Sequence, residues 1–208
     1  MKGRFMKCTA DQIDILKEMI NVGVGKGADV LNTMLCSHVR LQVPSLKILS
    51  PEELEAELSK SGNECLSCIN LPFKGDISGV AELVFPVESA SKFVIALTGE
   101  EADTTDMDSI RAGALSEIGN IVLNAVMGTI SNLLGFKLRY SVPSYTEGDY
   151  NSLLPVHPSV PDTTVVVIHT HFVVEKLEVE GSIIMFFEVG SFDKLLGELE
   201  TAAEGKKR

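Results

Sequence analysis

The stretch Glu117-Ile118-Gly119-Asn120 reveals the architecture of the chain, because a similar stretch, Glu18-Met19-Ile20-Asn21, stands 99 residues earlier. Each places a carboxylate and a carboxamide three residues apart, and each is followed after 22 intervening residues by a proline, Pro44 or Pro143. No gap is needed to align the two copies. The chain is therefore predicted to consist of two related halves.

The repeat continues beyond these motifs. Four residues of the first half recur in the second at an offset of 102, so that the second half has gained about three residues. The pairs are Gly79 and Gly181, Phe85 and Phe187, Ser89 and Ser191, and Lys92 and Lys194. A period near 100 residues is too long for a solenoid. We interpret the chain, residues 1–208, as a single domain made of two repeats, about 9–98 and 106–203, joined by an acidic connector, 99–108.

Each repeat is predicted to begin with a long helix, because apolar residues recur at spacings of three and four. The first helix, 9–36, opens with Thr9 and Gln12 at the spacing of a capping box. Its apolar stripe is Ile13, Leu16, Ile20, Val24, Ala28, Leu31 and Leu35, and that of the second helix, 106–134, is Leu115, Ile118, Val122, Val126, Ile130 and Leu133. Asp14, Glu18 and Asn21 fall on another face of the first helix, which we expect to be exposed.

Strand patterns and shorter helices fill the rest of each half. Alternation and β-branched residues predict strands at 38–49, 64–74, 78–86, 136–143, 163–174 and 177–188, and short helices at 50–60, 88–97 and 191–203. The strands come in clusters and do not alternate with helices. The predicted fold is therefore α+β: a pseudo-twofold duplicated α-β-β-β-α unit, with two long helices packed on an antiparallel or mixed six-stranded sheet.

Charge and hydropathy limit the possible partners. The chain has 18 Lys and Arg against 29 Asp and Glu, a net charge of −11, which repels nucleic acid and anionic lipid. We find neither a signal peptide nor about 18 consecutive uncharged apolar residues. A cytoplasmic protein with no nucleic-acid partner and no membrane insertion is predicted.

Three motif-like groups are interpreted as structural. Cys65 and Cys68 form one C-x-x-C pair, too few ligands for zinc, and residues three apart in a strand face opposite ways. The glycines of 23–27 lie inside a helical pattern without the full phosphate-loop spacing, so we assign them to close helix packing. His169 and His171 share a strand face but have no third ligand of obvious spacing. No metal site is predicted.

The repeated spacing resembles the signature of the CheC/CheX/FliY family of chemotaxis phosphatases: Asp or Ser, three residues, Glu, two residues, Asn, 22 residues, Pro. The first half matches every fixed position, with Asp14, Glu18, Asn21 and Pro44. The second half matches with Glu117, Asn120 and Pro143 but has Gly113 at the first position. The resemblance is closest to CheC-like members, which carry two motifs in one chain and no flagellar switch domain.

The resemblance implies a phosphatase that hydrolyses the aspartyl phosphate of a CheY-type response regulator. Glu18 and Glu117 would bind the regulator through its active-site lysine, while Asn21 and Asn120 would orient the attacking water. An acyl phosphate needs no nucleophile from the helix if water is held in line. The protein would need no cofactor of its own, and Mg²⁺ would belong to the regulator. The supporting motif positions are Asp14, Pro44 and Pro143.

Two departures from the signature keep another interpretation open. Ile20 places a β-branched side chain beside Asn21 where the second motif has Gly119, and we expect it to obstruct close approach of a partner. Gly113 removes a polar side chain one turn before Glu117. These motivate the alternative of a non-catalytic or weakly catalytic adaptor that binds a receiver domain or a CheD-type receptor deamidase. A structural part of a flagellar switch is a third possibility.

Overall fold

The computed structural model describes residues 8–35, 38–58, 65–98, 107–149, 153, 163–174 and 177–205. Its elements are α1 (Ala10–Leu35), β1 (Val39–Leu49), α2 (Pro51–Leu58), β2 (Cys65–Gly75), β3 (Gly79–Pro86), α3 (Val87–Thr98), α4 (Met107–Leu134), β4 (Leu138–Tyr140), β5 (Ser144–Asp149), β6 (Thr164–Val174), β7 (Leu177–Phe187) and α5 (Ser191–Gly205). Positions 99–106 of the predicted connector lie outside the described residues.

The strands form one antiparallel sheet in the order β1-β6-β7-β3-β2-β4, with β5 also paired to β2. The predicted α+β class is confirmed, and the antiparallel alternative is the correct one. The strand predicted at 136–143 is observed as the shorter β4, which ends at Tyr140, and a further strand that was not predicted starts at Ser144. Pro143 lies between them and has no N–H to donate to a ladder. Within the described residues the sheet therefore has seven strands, where six were predicted.

The strand order exchanges the first strand of each half. β1 pairs with β6 of the second half, and β4 and β5 pair with β2 of the first half, while β3 and β7 meet at the centre. Read from either edge to the centre, the order is the first strand of one half followed by the second and third strands of the other half. This is the pseudo-twofold arrangement that the repeat predicts.

The long helices α1 and α4 cover one face of the sheet. Their buried residues, Leu16, Ile20 and Val24 of α1 among them, join one apolar core with inward-facing residues of the central strands. The strand residues of this core include Ile69, Leu71, Phe73, Leu83, Phe85, Ile168, Phe172, Ile183, Met185 and Phe187. Leu133, predicted on the stripe of α4, is 57% exposed, and the neighbouring Leu134 packs on the core in its place.

Helix α2 packs on the opposite face of the sheet, where Leu54 is buried in a smaller apolar cluster with residues of β2, β3, β6 and β7.

Reciprocal hydrogen bonds between side chain and backbone cap the first turn of both α1 and α2. Thr9 N donates to Gln12 Oε1 at 2.8 Å and Gln12 N to Thr9 Oγ1 at 3.2 Å. Ser50 and Glu53 exchange the same pair of bonds at 2.8 and 3.1 Å. The capping box predicted at Thr9 and Gln12 is confirmed, and Ser50 and Glu53 form a second one.

Close contact between α1 and α4 is made through glycine. A Cβ added to Gly23 would lie 2.6 Å from Cα of Val126, and one added to Gly27 would lie 3.4 Å from Cα of Val122. Residue numbers rise along one helix as they fall along the other, so the helices are antiparallel. Positions 122 and 126 are the repeat counterparts of 23 and 27. The contact of 23 with 126 and the contact of 27 with 122 are therefore related by the pseudo-twofold symmetry of the repeat. Gly23 and Gly27 serve helix packing, as predicted, whereas Gly25 and Lys26 are exposed.

Candidate functional site

The structure places the four predicted catalytic residues on the long helices as two separate pairs. Glu18 and Asn21 of α1 and Glu117 of α4 are exposed, and Asn120 of α4 is half-buried. Each pair spans about one helical turn, a distance of roughly 5–6 Å. Each pair can therefore contact one docked partner at two points.

The two pairs lie on opposite flanks of the helix pair. Asn21 is two residues from the contact residue Gly23, which is about 200° of rotation in an α-helix, and Asn120 stands in the same relation to Val122. Each asparagine therefore lies on the side of its helix away from the other helix. The contact pairs also place Asp29 opposite Asn120, so the two asparagines are about 12 Å apart along the helix axis. The structure does not bring the motifs together into one site.

An edge strand of the sheet lies next to each motif helix. Pro44 is exposed in β1, where the register with β6 shifts between Gln42 and Ser45. Its carbonyl accepts a 3.4 Å hydrogen bond from Nζ of Lys17, the residue before Glu18. Pro143 is half-buried in the interruption between β4 and β5, and α4 contacts β5. The first candidate site is therefore bordered by α1 and Pro44, and the second lies on the helix that contacts β5.

The first position of the signature differs between the two flanks. Asp14 is exposed one turn before Glu18, which adds a second carboxylate to the first flank. Gly113 is exposed at the corresponding place on α4, and a Cβ added there would meet nothing within 4 Å. The second flank therefore has room for a side chain that the sequence does not supply.

The obstruction expected from Ile20 is not found, and this expectation was wrong. Ile20 is fully buried and faces the sheet, so it does not stand between Asn21 and a docking partner. A Cβ added to its counterpart Gly119 would lie 2.5 Å from Cγ2 of Ile69 in β2. Packing of each helix on the sheet therefore accounts for the choice of Ile or Gly at this position.

Asn124 is a site residue that the sequence reasoning missed. Its Nδ2 donates to the backbone carbonyl oxygen of Asn120 at 2.8 Å and to Oδ1 of Asn120 at 2.6 Å. The spacing of four residues places both side chains on one helical face, which is the only signal that the sequence carried. The repeat counterpart of Asn124 is Gly25.

Other reactive side chains do not extend these sites. Among the described residues, no group of three or more His, Cys, Asp and Glu could hold a metal ion. His169 contacts Ser182 and His171 lies near Glu178. Cys65 is exposed and Cys68 is buried, and the alternation of the strand places them on opposite faces of β2, as expected.

One helix segment in the described part of the chain, Ser109–Leu134, is long and apolar enough to pass a length-and-composition test for a membrane span. Half of its most apolar window is buried within the structure. Leu115, Ile118 and Val122 of this segment belong to the core under the sheet. Core packing therefore accounts for its composition.

Several solved structures share this fold, and three of them illustrate the likeness. FliY of Thermotoga maritima matches with a TM-score of 0.73 and 18% identity, covering 94% of this chain and 99% of that one. The FliM middle domain of Helicobacter pylori matches with a TM-score of 0.66 and 14% identity, over 91% and 99% of the two chains. CheX, in a complex with CheY, BeF3 and Mg²⁺ from Borrelia burgdorferi, matches with a TM-score of 0.52 and 18% identity, over 83% and 99%. At these identities the likeness shows the fold.

The chain is similar to the CheC/CheX/FliY family in its fold and in part of its sequence, which confirms the resemblance seen in the doubled motif. The chain is similar in sequence to the CheY-P phosphatase CheC of Bacillus subtilis, with 30% identity over 136 residues. That match covers 64% of this chain and 65% of the relative, so it spans slightly less than two thirds of the relative's length. No family model matches the chain.

Proposed function

We propose that this protein is a phosphatase that hydrolyses the aspartyl phosphate of a CheY-type response regulator. The observation that carries the proposal is the pair of outward-facing Glu-x-x-Asn motifs, the first of which lies beside Pro44. The relatives support it: the Bacillus subtilis protein is a CheY-P phosphatase, and the Borrelia burgdorferi CheX is in a complex with CheY.

The chemistry asks little of the motif helix. In an aspartyl phosphate the phosphorus is already activated by an acyl leaving group, so the catalyst has to hold a water molecule in line with it. The carboxamide of Asn21 or Asn120 accepts a hydrogen bond from that water and fixes its position. A near-attack geometry that speeds hydrolysis about 10²-fold lowers the barrier by roughly 3 kcal/mol. The Mg²⁺ that neutralises phosphoryl charge belongs to the regulator.

The glutamate of each pair fixes the register of the docked regulator. Glu18 and Glu117 are exposed one turn before their asparagines, so a carboxylate meets the partner about 5–6 Å from the carboxamide. A lysine ammonium in the regulator's phosphorylation pocket is the charge that this carboxylate fits. Charge pairing at this distance places the water beside the phosphoryl group.

A phosphate-release assay on a phosphorylated CheY-type regulator tests the proposal. Wild-type protein is expected to accelerate release, and the double variant Asn21→Ala with Asn120→Ala to abolish the acceleration while circular dichroism and thermal unfolding stay unchanged. Asn132→Ala, which removes the same side chain from an exposed position of α4 about three turns from Asn120, is the matched control and keeps wild-type activity. Dephosphorylation that proceeds at the same rate with and without wild-type protein refutes the proposal.

A second candidate function is an adaptor that binds a receiver domain or a CheD-type deamidase without rapid hydrolysis. The incomplete second motif at Gly113 and the fold shared with the FliM middle domain favour it. Stable capture of a phosphorylated regulator, with no change in its rate of phosphate loss, would support this candidate over the phosphatase.

A further inference from the structure

We infer that Asn124 is a positioning residue of the second motif, which holds the carboxamide of Asn120 in one orientation for the attacking water. This inference rests on the proposed phosphatase function and deepens it. It makes the two flanks of the molecule chemically unequal, because the first motif has glycine at the corresponding place.

The backbone fixes which way the two amides face. Nδ2 of Asn124 lies 2.8 Å from the carbonyl oxygen of Asn120, and a carbonyl oxygen can only accept a hydrogen bond. The atom of Asn124 on that side is therefore its nitrogen. The same nitrogen lies 2.6 Å from the side chain of Asn120, whose facing atom must then be the acceptor, Oδ1. The orientation of both carboxamides follows from one backbone group.

This orientation suits the proposed reaction. The Oδ1 atom of Asn120 has two lone pairs, and Asn124 uses one of them, so the other remains for a hydrogen bond from water.

The hydrogen bond from Asn124 also restrains the side chain of Asn120. The terminal torsion of an unrestrained asparagine is broad and roughly two-fold, and the bond narrows the range of angles that it adopts. Both side chains are half-buried, which limits competition from bulk water. Asn124 acts through Asn120 and leaves Glu117 to bind the partner.

The first motif lacks this device. Gly25 stands at the counterpart of Asn124, has no side chain to donate, and is exposed with nothing within 4 Å of an added Cβ. Asn21, four residues earlier, is exposed. The second site is therefore expected to turn over faster than the first, although only the first has the complete signature.

Two single-site backgrounds test the inference: Asn21→Ala leaves the second site and Asn120→Ala leaves the first. In the Asn21→Ala background, Asn124→Ala is expected to lower kcat about fivefold, the effect of one net hydrogen bond, while KM for the phosphorylated regulator stays within about twofold. Asn124→Asp, which cannot donate when ionised, is expected to lower kcat at least as much. In the Asn120→Ala background, Gly25→Asn is expected to raise kcat.

A role in folding alone would change the melting temperature and would not separate kcat from KM. The inference is overturned if Asn124→Ala and Asn124→Asp keep the kcat of the Asn21→Ala protein, or if KM changes as much as kcat. The proposed function stands in that case, provided that the Asn21→Ala, Asn120→Ala double variant is inactive. Wild-type protein without any acceleration overturns the function and this inference together.

Discussion

Helix α4 can cross strand β2 at its observed distance only because residue 119 has no side chain. A Cβ on Gly119 would lie 2.5 Å from Cγ2 and 2.8 Å from Cβ of Ile69, and both residues are buried. Distances this short are not tolerated between carbon atoms, so an added methyl group must displace the helix or the strand. Gly119 stands between Glu117 and Asn120 in the sequence but faces the sheet. Packing against β2 therefore requires glycine at this position of the motif.

Gly119→Ala is therefore expected to destabilise the protein. Overpacking of this kind typically costs about 1–3 kcal/mol, which exceeds the roughly 1 kcal/mol that alanine gains over glycine in a helix. Denaturant unfolding measures the difference. Gly113→Ala is the control, because position 113 is exposed and unobstructed in the same helix, and it is expected to stabilise by about 0.5–1 kcal/mol. Equal stability of the two variants would contradict the packing argument.

Gly113→Asp is expected to strengthen regulator binding at the second site. The substitution supplies the carboxylate one turn before Glu117, at a position with free space. A second negative charge facing a basic pocket lowers KM, and the gain shrinks with added salt because exposed charges are screened. In the Asn21→Ala background we expect KM to fall about threefold at low ionic strength. The same decrease with Gly113→Ala would show that charge is not the cause.

The Asp76 carboxylate predicts an acid-dependent contribution to stability. Its Oδ2 accepts from the backbone N of Lys137 at 2.8 Å and its Oδ1 from Nζ of Lys194 at 3.0 Å. These two bonds lower the pKa of Asp76, with the Lys137 backbone bond as the larger cause. A carboxyl whose pKa is lower in the folded state stabilises the fold above its unfolded pKa, near 4, and loses this contribution as pH falls further.

Wild type and Asp76→Asn should accordingly differ most in unfolding free energy near pH 7, with wild type the more stable. The difference in unfolding free energy should narrow as the pH falls from 4 to the pKa of Asp76 in the folded state, which is lower. Urea unfolding at a series of pH values measures it. A gap of constant size down to pH 2 would rule out ionisation of Asp76 as its source.

Cys65 and Cys68 should differ sharply in reactivity. Cys65 is exposed, whereas burial, with a smaller contribution from Glu82, raises the pKa of the Cys68 thiol. The thiolate is the reactive form, so native protein at pH 8 should be alkylated at Cys65 long before Cys68. Peptide mapping by mass spectrometry after timed iodoacetamide treatment reads the two sites separately. Denatured protein provides the reference for complete alkylation. Comparable alkylation rates at the two cysteines of native protein would mean that Cys68 is not buried in β2.

The helices and most strands could be predicted because their signals are local. The capping boxes at Thr9 and Ser50 start helices through contacts within four residues. The bounds of β2, β3 and β6 follow to within one residue from their apolar residues, which in β6 form a β-branched run. Strand β5 was missed because its sequence, Ser144–Asp149, has little apolar alternation. Its pairing with β2 creates the strand, and that partner lies about 80 residues away in the chain.

The site was predictable to the same extent. The spacing of Glu117 and Asn120 places both on one helical face, and the helix period fixes that result. Their separation from Glu18 and Asn21 depends on which sides of α1 and α4 touch, and this was not visible before Gly23 was found against Val126. The effect of Ile20 was misjudged for the same reason, since only the packed sheet shows where that side chain faces.

The exchange of β1 for β4 and β5 means that neither half can complete a sheet from its own strands. Leu49 pairs with Val165, 116 residues further along the chain, and Cys65 pairs with Asp149. A backbone cut between the halves would leave two fragments held together by strand pairing alone. Either fragment by itself would lack an edge strand, which a second copy of the fragment would have to supply. Folding must therefore close these long loops before either half gains its sheet, a topology associated with slow folding. Each motif helix thus packs on an outer strand, β1 for α1 and β5 for α4, that is held in the sheet by a strand of the other half.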